Sequence, residues 1–169
     1  MTDAELPPGL TRLTFHGPLS EARAARIVAR LTANRPRTVL DIGCGWGELM
    51  LRVLAAAPDA TGLGLDTDEG DLAGMWPGTT AGEFGDLASL ADLAVSAGFR
   101  PAWIETATLE EWEDFESGYQ CDEEEWLAAH PGHPKAAEIS ERVDQHRSFW
   151  LRGYYGLLGQ AYLTLVPAG

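Results

Sequence analysis

Cysteine, basic charge and long apolar runs are what this chain has little of. Two cysteines, Cys44 and Cys121, occur in 169 residues. They lie far apart and form no C-x-x-C pair, which argues against a disulfide scaffold and suits a reducing compartment. Twelve basic residues face 26 acidic ones, a net charge of −14, with a pI near 4.5. A field of that sign repels phosphate backbones and anionic lipid, so no nucleic acid and no membrane is expected as a partner. No apolar run approaches the ~20 residues of a membrane span. The N-terminus carries Asp3 and Glu5 where a secretory signal carries bases. The expectation is one cytoplasmic domain over residues 1–169, large enough to bury a core. Internal repeats and low-complexity tracts are absent.

Glycine is plentiful, at 19 residues, and its placement carries the most information. Thr38-Val39-Leu40-Asp41-Ile42 is a short β-prone run with an acid near its end, followed by Gly43, Gly45 and Gly47 at every second position. Leu49 to Ala57 reads as helix until Pro58 stops it. A strand turning this sharply into a helix presents free backbone N–H groups at the helix N-terminus, and close approach of a ligand there calls for residues without Cβ. The dinucleotide fingerprint G-x-G-x-x-G needs a third glycine where Glu48 stands. Thr61-Gly62-Leu63-Gly64-Leu65-Asp66 reads as a second strand ending in an acid, about 20 residues after Gly45, where a carboxylate can accept from both hydroxyls of a ribose.

The pattern acid-x-G-x-G-x-G, from Asp41 to Gly47, resembles the first motif of class I S-adenosylmethionine-dependent methyltransferases. The Asp66 strand strengthens the resemblance, which covers residues 38–66. It implies an α/β fold, a Rossmann-like three-layer α/β/α sandwich, with S-adenosyl-L-methionine as cofactor and a small molecule as methyl acceptor. Asp41 would face the methionine amino group, Gly43, Cys44 and Gly45 would pass beneath the ligand, and Asp66 with Thr67 would hold the ribose. Ordinary readings stand beside these: Asp41 as a helix-N-terminal acid, Asp66 as a turn residue, Cys44 as an apolar filler.

Along the chain, Ser20 can cap a helix with Ala24, Ile27, Val28 and Leu31 on one side, closing an N-terminal helical segment, 1–36. Strand 37–42, helix 47–57 and strand 60–66 form a cofactor-binding βαβ unit, 37–73. Asp86 to Ala97 is helical with Gly98 after it, and Pro101 to Thr106 is a third strand. In the acidic stretch from Leu109 to Trp126, Trp112, Phe115 and Tyr119 fall on one helix face. The stretch is either an amphipathic helix with a solvated acidic back or part of a lid over a substrate, and 109–152 is taken as a helical insertion. His130-Pro131-Gly132-His133-Pro134 is a turn, and no metal site is expected. A helix over 135–152 breaks at Gly153 and Gly156 before a final strand, 160–166.

The resembled family places three more strands between the Asp66 strand and the helix at 86, where only residues 67–85 stand. The sheet is therefore expected to be shortened and mostly parallel, with an antiparallel final strand. The first and final strands could pair directly, or a second subunit could close the gap in a homodimer. Trp76 could stack on the adenine in place of the lost wall or fill exposed core. Methyl transfer is an in-line displacement, dominated by orientation. Where the acceptor must lose a proton, His16 and Glu105 are the candidate bases, beside the commoner readings of His16 as a satisfied loop histidine and Glu105 as an exposed strand-end acid. A catalytically impaired binding or dimerising module is the alternative. An NAD-dependent oxidoreductase is disfavoured by Glu48 and by the lack of a second nucleotide-binding half.

Overall fold

A computed structural model describes residues 6–65 and 85–168. In chain order the elements are α1 (Glu21–Thr32), β1 (Thr38–Ile42), α2 (Glu48–Ala56), β2 (Thr61–Leu65), α3 (Leu87–Ser96), β3 (Phe99–Thr106), α4 (Leu109–Ala129), α5 (Ala136–Phe149), a π-helical turn (Trp150–Tyr154) and β4 (Ala161–Pro167). They gather into two compact units. One joins the chain up to Ser20 to Ala107–Gln160; the other joins Glu21–Thr106 to Ala161–Gly169.

In the strand-bearing unit, β1 and β2 run parallel, with Thr38 opposite Thr61 and Ile42 opposite Leu65. β3 and β4 run antiparallel, with Phe99 opposite Pro167 and Thr106 opposite Ala161. The register slips between Pro101 and Trp103, beside a residue with no N–H to donate to a ladder. The final strand is antiparallel, as expected. Direct pairing of the first and final strands is not found: among the described residues β1 and β4 belong to separate two-stranded ladders.

α2 covers one face of the parallel pair at close range. A Cβ on Gly62 would meet Leu54 Cδ1 and Met50 Sδ at 3.0 Å, and one on Gly64 would meet Cys44 Sγ at 2.8 Å. The two glycines of β2 thus give the helix the close approach that a dinucleotide fold obtains from its third loop glycine. On the opposite face Leu40, Ile42, Leu63 and Leu65 remain 49–76% exposed. α3 starts at Asp86, whose carboxylate accepts from Ser89 N–H at 2.7 Å, and ends before Gly98 at φ 85°. The core of this unit holds Ala24, Ile27, Val53 and Ala94.

In the helical unit α4 opens with a capping box. Thr108 accepts from Glu111 N–H, and the Glu111 carboxylate accepts from Thr108 N–H. Glu111 also accepts from Ser20, the residue expected to cap α1, at 3.0 Å from its N–H and 2.6 Å from its hydroxyl. Downstream, Trp126 packs with Ile139 and Val143. His130 stacks on the Trp126 indole and His133 meets its edge.

The acidic back of α4 is not wholly solvated. Glu111, Glu116 and Asp122 are buried, each because polar donors from remote segments reach it. Asp122 accepts from Thr11 N–H at 2.6 Å and its hydroxyl at 2.8 Å. The N-terminal segment lies close enough that a Cβ on Gly118 would meet Leu13 Cδ2 at 2.6 Å. The expected end of the last helix also moves. Gly153 does not break it; the helix widens there into a π turn, closed by Tyr155 N–H to the Trp150 carbonyl at 2.9 Å, and stops at Gly156, φ 71°.

Candidate functional site

The glycine loop between β1 and α2 is built by backbone geometry. Gly43, Gly45 and Gly47 hold φ of 77°, 51° and 82°, a left-handed conformation that costs an L-residue about 1–2 kcal/mol. Gly43 N–H and Cys44 N–H both donate to the Leu65 carbonyl, at 2.7 and 3.2 Å. The loop is thereby fastened to the end of β2, immediately before Asp66 in the chain. Gly47 N–H returns to the Cys44 carbonyl at 2.8 Å, and Leu51 N–H to Gly47 at 2.9 Å opens the helix ladder. Among the described residues a Cβ on Gly43 or Gly47 would meet no atom within 4 Å, so positive φ, rather than contact, demands glycine there.

Asp41 stands in register opposite Gly64 on β1, two residues before the loop. Cys44 turns its sulfur onto Gly64, as a filler would, and offers the loop its backbone. Asp41, Gly43, Cys44 and Gly45 are therefore together at the end of the parallel pair. Asp66, Thr67 and Trp76 lie outside the described residues. Where the dinucleotide pattern wants its third glycine, Glu48 begins α2 and pairs with Arg52 at 2.8 Å, while Arg52 also binds Glu21 of α1.

The two candidate bases fall in different units. His16 is half-buried in the N-terminal segment of the helical unit. Glu105 sits near the end of β3 with its side chain 12% exposed and its carboxylate 2.9 Å from Arg30, 3.4 Å from Arg23 and 3.6 Å from Arg26. Burial works against its ionisation, but the Arg30 hydrogen bond and the charges of Arg30, Arg23 and Arg26 outweigh burial and hold its carboxyl below the usual range. A carboxylate so held is a weak proton acceptor at neutral pH.

A polar cluster in the helical unit went unforeseen. Glu116, 1% exposed, accepts from the Tyr154 hydroxyl and lies 2.7 Å from His146 Nε2. Tyr119 stacks on the His146 ring at 4.9 Å, and Trp112 meets Tyr154 edge-on at 5.9 Å. Burial, reinforced by the Glu116 carboxylate, pushes the Tyr154 phenol up. The helical spacing of Trp112, Phe115 and Tyr119 was the available signal for the aromatic part. Nothing local marks Glu116 among its acidic neighbours.

No protein-family profile and no curated protein sequence matches the chain. Solved structures do, each at 15% identity. YjhP from E. coli superposes with a TM-score of 0.67 over 91% of this chain and 95% of that one. An S-adenosylmethionine-dependent methyltransferase from Geobacter sulfurreducens, in complex with S-adenosyl-L-homocysteine, gives 0.65 over 92% and 94%. Another from Thiobacillus denitrificans, with the same ligand, gives 0.64 over 93% and 94%. The fold is thus the Rossmann-like α/β fold of class I S-adenosylmethionine-dependent methyltransferases, represented among the described residues by a short parallel pair and an antiparallel pair.

Proposed function

We propose that the chain binds S-adenosyl-L-methionine at the glycine loop and transfers its methyl group to a small-molecule acceptor. One observation carries the reading: three alternate glycines with positive φ turn β1 into α2, in a loop fastened by Gly43 N–H and Cys44 N–H to the Leu65 carbonyl. In this reading the backbone of Gly43, Cys44 and Gly45 runs beneath the ligand, Asp41 meets the ammonium of its amino-acid tail, and Asp66 with Thr67 takes the ribose hydroxyls. Trp76 is assigned to the adenine face. Bound there, the sulfonium supplies an electrophilic methyl group, and the protein's contribution is to orient donor and acceptor in line. The net charge of −14 favours a neutral or cationic acceptor over a polyanion.

Calorimetric titration with S-adenosyl-L-homocysteine tests the cofactor half. Saturable binding is expected, weakened at least tenfold in Asp66→Ala. Equal affinity in the variant would defeat the assignment. Methyl transfer is then sought with tritiated S-adenosylmethionine against a panel of amines and phenols.

A further inference from the structure

A second polar feature uses none of the cofactor residues. Arg23, Arg26 and Arg30 repeat at i, i+3 and i+7 along α1, one helix face, and all three point at the single carboxylate of Glu105. Only Arg30 reaches it at hydrogen-bond distance, 2.9 Å. Arg26 shares Oε1 with Arg23, from 3.6 Å, and keeps its own side chain half exposed. Among the described residues no other carboxylate lies within 4 Å of Arg26 or Arg30. Two guanidinium charges therefore converge on one negative charge, even with Arg23 set aside.

Arg30 is also held flat. Its guanidinium lies 3.9 Å above the centroid of the Trp103 ring, and Trp103 is 47% exposed. Stacking on one side and Glu105 at one edge fix a planar fork before any ligand arrives, which lowers the ordering cost of binding. Arg26 brings a second fork beside it. Such forks match the two oxygens of a carboxylate or phosphate.

We propose that Arg26 and Arg30, beside Trp103, bind the carboxylate or phosphate group of a small anionic molecule, with Glu105 as the internal anion that organises them. The size class follows from charge: a chain at −14 repels an extended polyanion at long range, whereas a small anion meets only the local excess of positive charge.

The experiment is a thermal-shift and calorimetric titration of the whole chain with inorganic phosphate and, separately, with succinate, at ionic strength held constant by chloride. Saturable stabilisation of the wild type is expected, with the half-saturating concentration raised at least fivefold in Arg26→Gln and further in Arg26→Glu. Both variants alter a half-exposed side chain with no hydrogen bond in the fold. Glu105→Gln, which removes the competing anion but keeps its shape, is expected to lower that concentration about fivefold. If that variant does not fold, the Arg26 pair decides. The stronger of the two probes tells a phosphoryl from a carboxylate ligand. An unsaturable response, or one equal in wild type and Arg26→Gln, overturns the site. Because neither probe resembles S-adenosylmethionine, this outcome is independent of the cofactor reading.

Discussion

His146 Nε2 lies 2.7 Å from Glu116 Oε2, joining α5 to a carboxylate that is almost wholly withdrawn from water. Tyr154 supplies the other side-chain partner of Glu116. His146→Ala strips the buried acid of one of these two, and a hydrogen bond to a charged group contributes about 1.5–3 kcal/mol. A loss of about 2 kcal/mol is expected, read as a lower urea midpoint at neutral pH. An unchanged midpoint would mean that water replaces the imidazole at no cost.

Asp122 gives the fold an acid-sensitive fastening. The Thr11 hydroxyl, with Thr11 N–H and Arg12, holds its carboxyl below the ordinary range against the opposing effect of burial. A carboxylate with a depressed folded-state pKa stabilises fully above its unfolded value, near 3.9, and loses that contribution as pH falls through the folded value. The stability difference between wild type and Asp122→Asn is therefore expected to be constant from pH 7 to about 5. Below about pH 4 it should shrink. Urea midpoints measured across pH 2.5–7 check this, and a gap that widens in acid contradicts it.

Glu111 serves two clients with one carboxylate. Thr108→Ala removes the helix cap alone and should cost about 1 kcal/mol. Glu111→Ala removes the reciprocal half of the capping box and the acceptor for Ser20 as well, and should cost about twice as much. Paired chemical denaturation of the two variants decides, since equal losses would show that the Ser20 contact contributes nothing to stability.

Gly64 and Cys44 are coupled by space. Gly64→Ala puts a methyl 2.8 Å from Cys44 Sγ, and overpacking of this kind costs about 1–3 kcal/mol. Cys44→Ala removes the sulfur and should recover part of that loss. A double-mutant cycle reads the coupling directly, with simple additivity as the failing result.

The punctuation of the chain made its elements readable. Pro58 ends α2, Gly98 follows α3, and Asp86 sits where α3 begins. The loop geometry at Gly43, Gly45 and Gly47 was likewise legible, because alternate glycines after a strand have few other uses. What escaped depends on residues remote in sequence. Glu116 and Asp122 are buried by partners 30 and 111 positions away, and no local pattern separates them from the exposed acids beside them. Glu111 stands in a local capping box, but its Ser20 partner is 91 positions away. The arginine face of α1 could be seen in its spacing, but Glu105 is 75 positions from Arg30. The separation of the described strands into two ladders depends equally on pairing that periodicity does not encode.

The π turn at Trp150–Tyr154 makes the helical unit intolerant of a change in chain length. Successive helix positions are offset by about 100°, so deleting one residue there would swing Tyr154 away from Glu116. Evolution can exchange side chains along this turn far more freely than it can trim it, and a frame of fixed length at that point would be a signature to seek in any homologue.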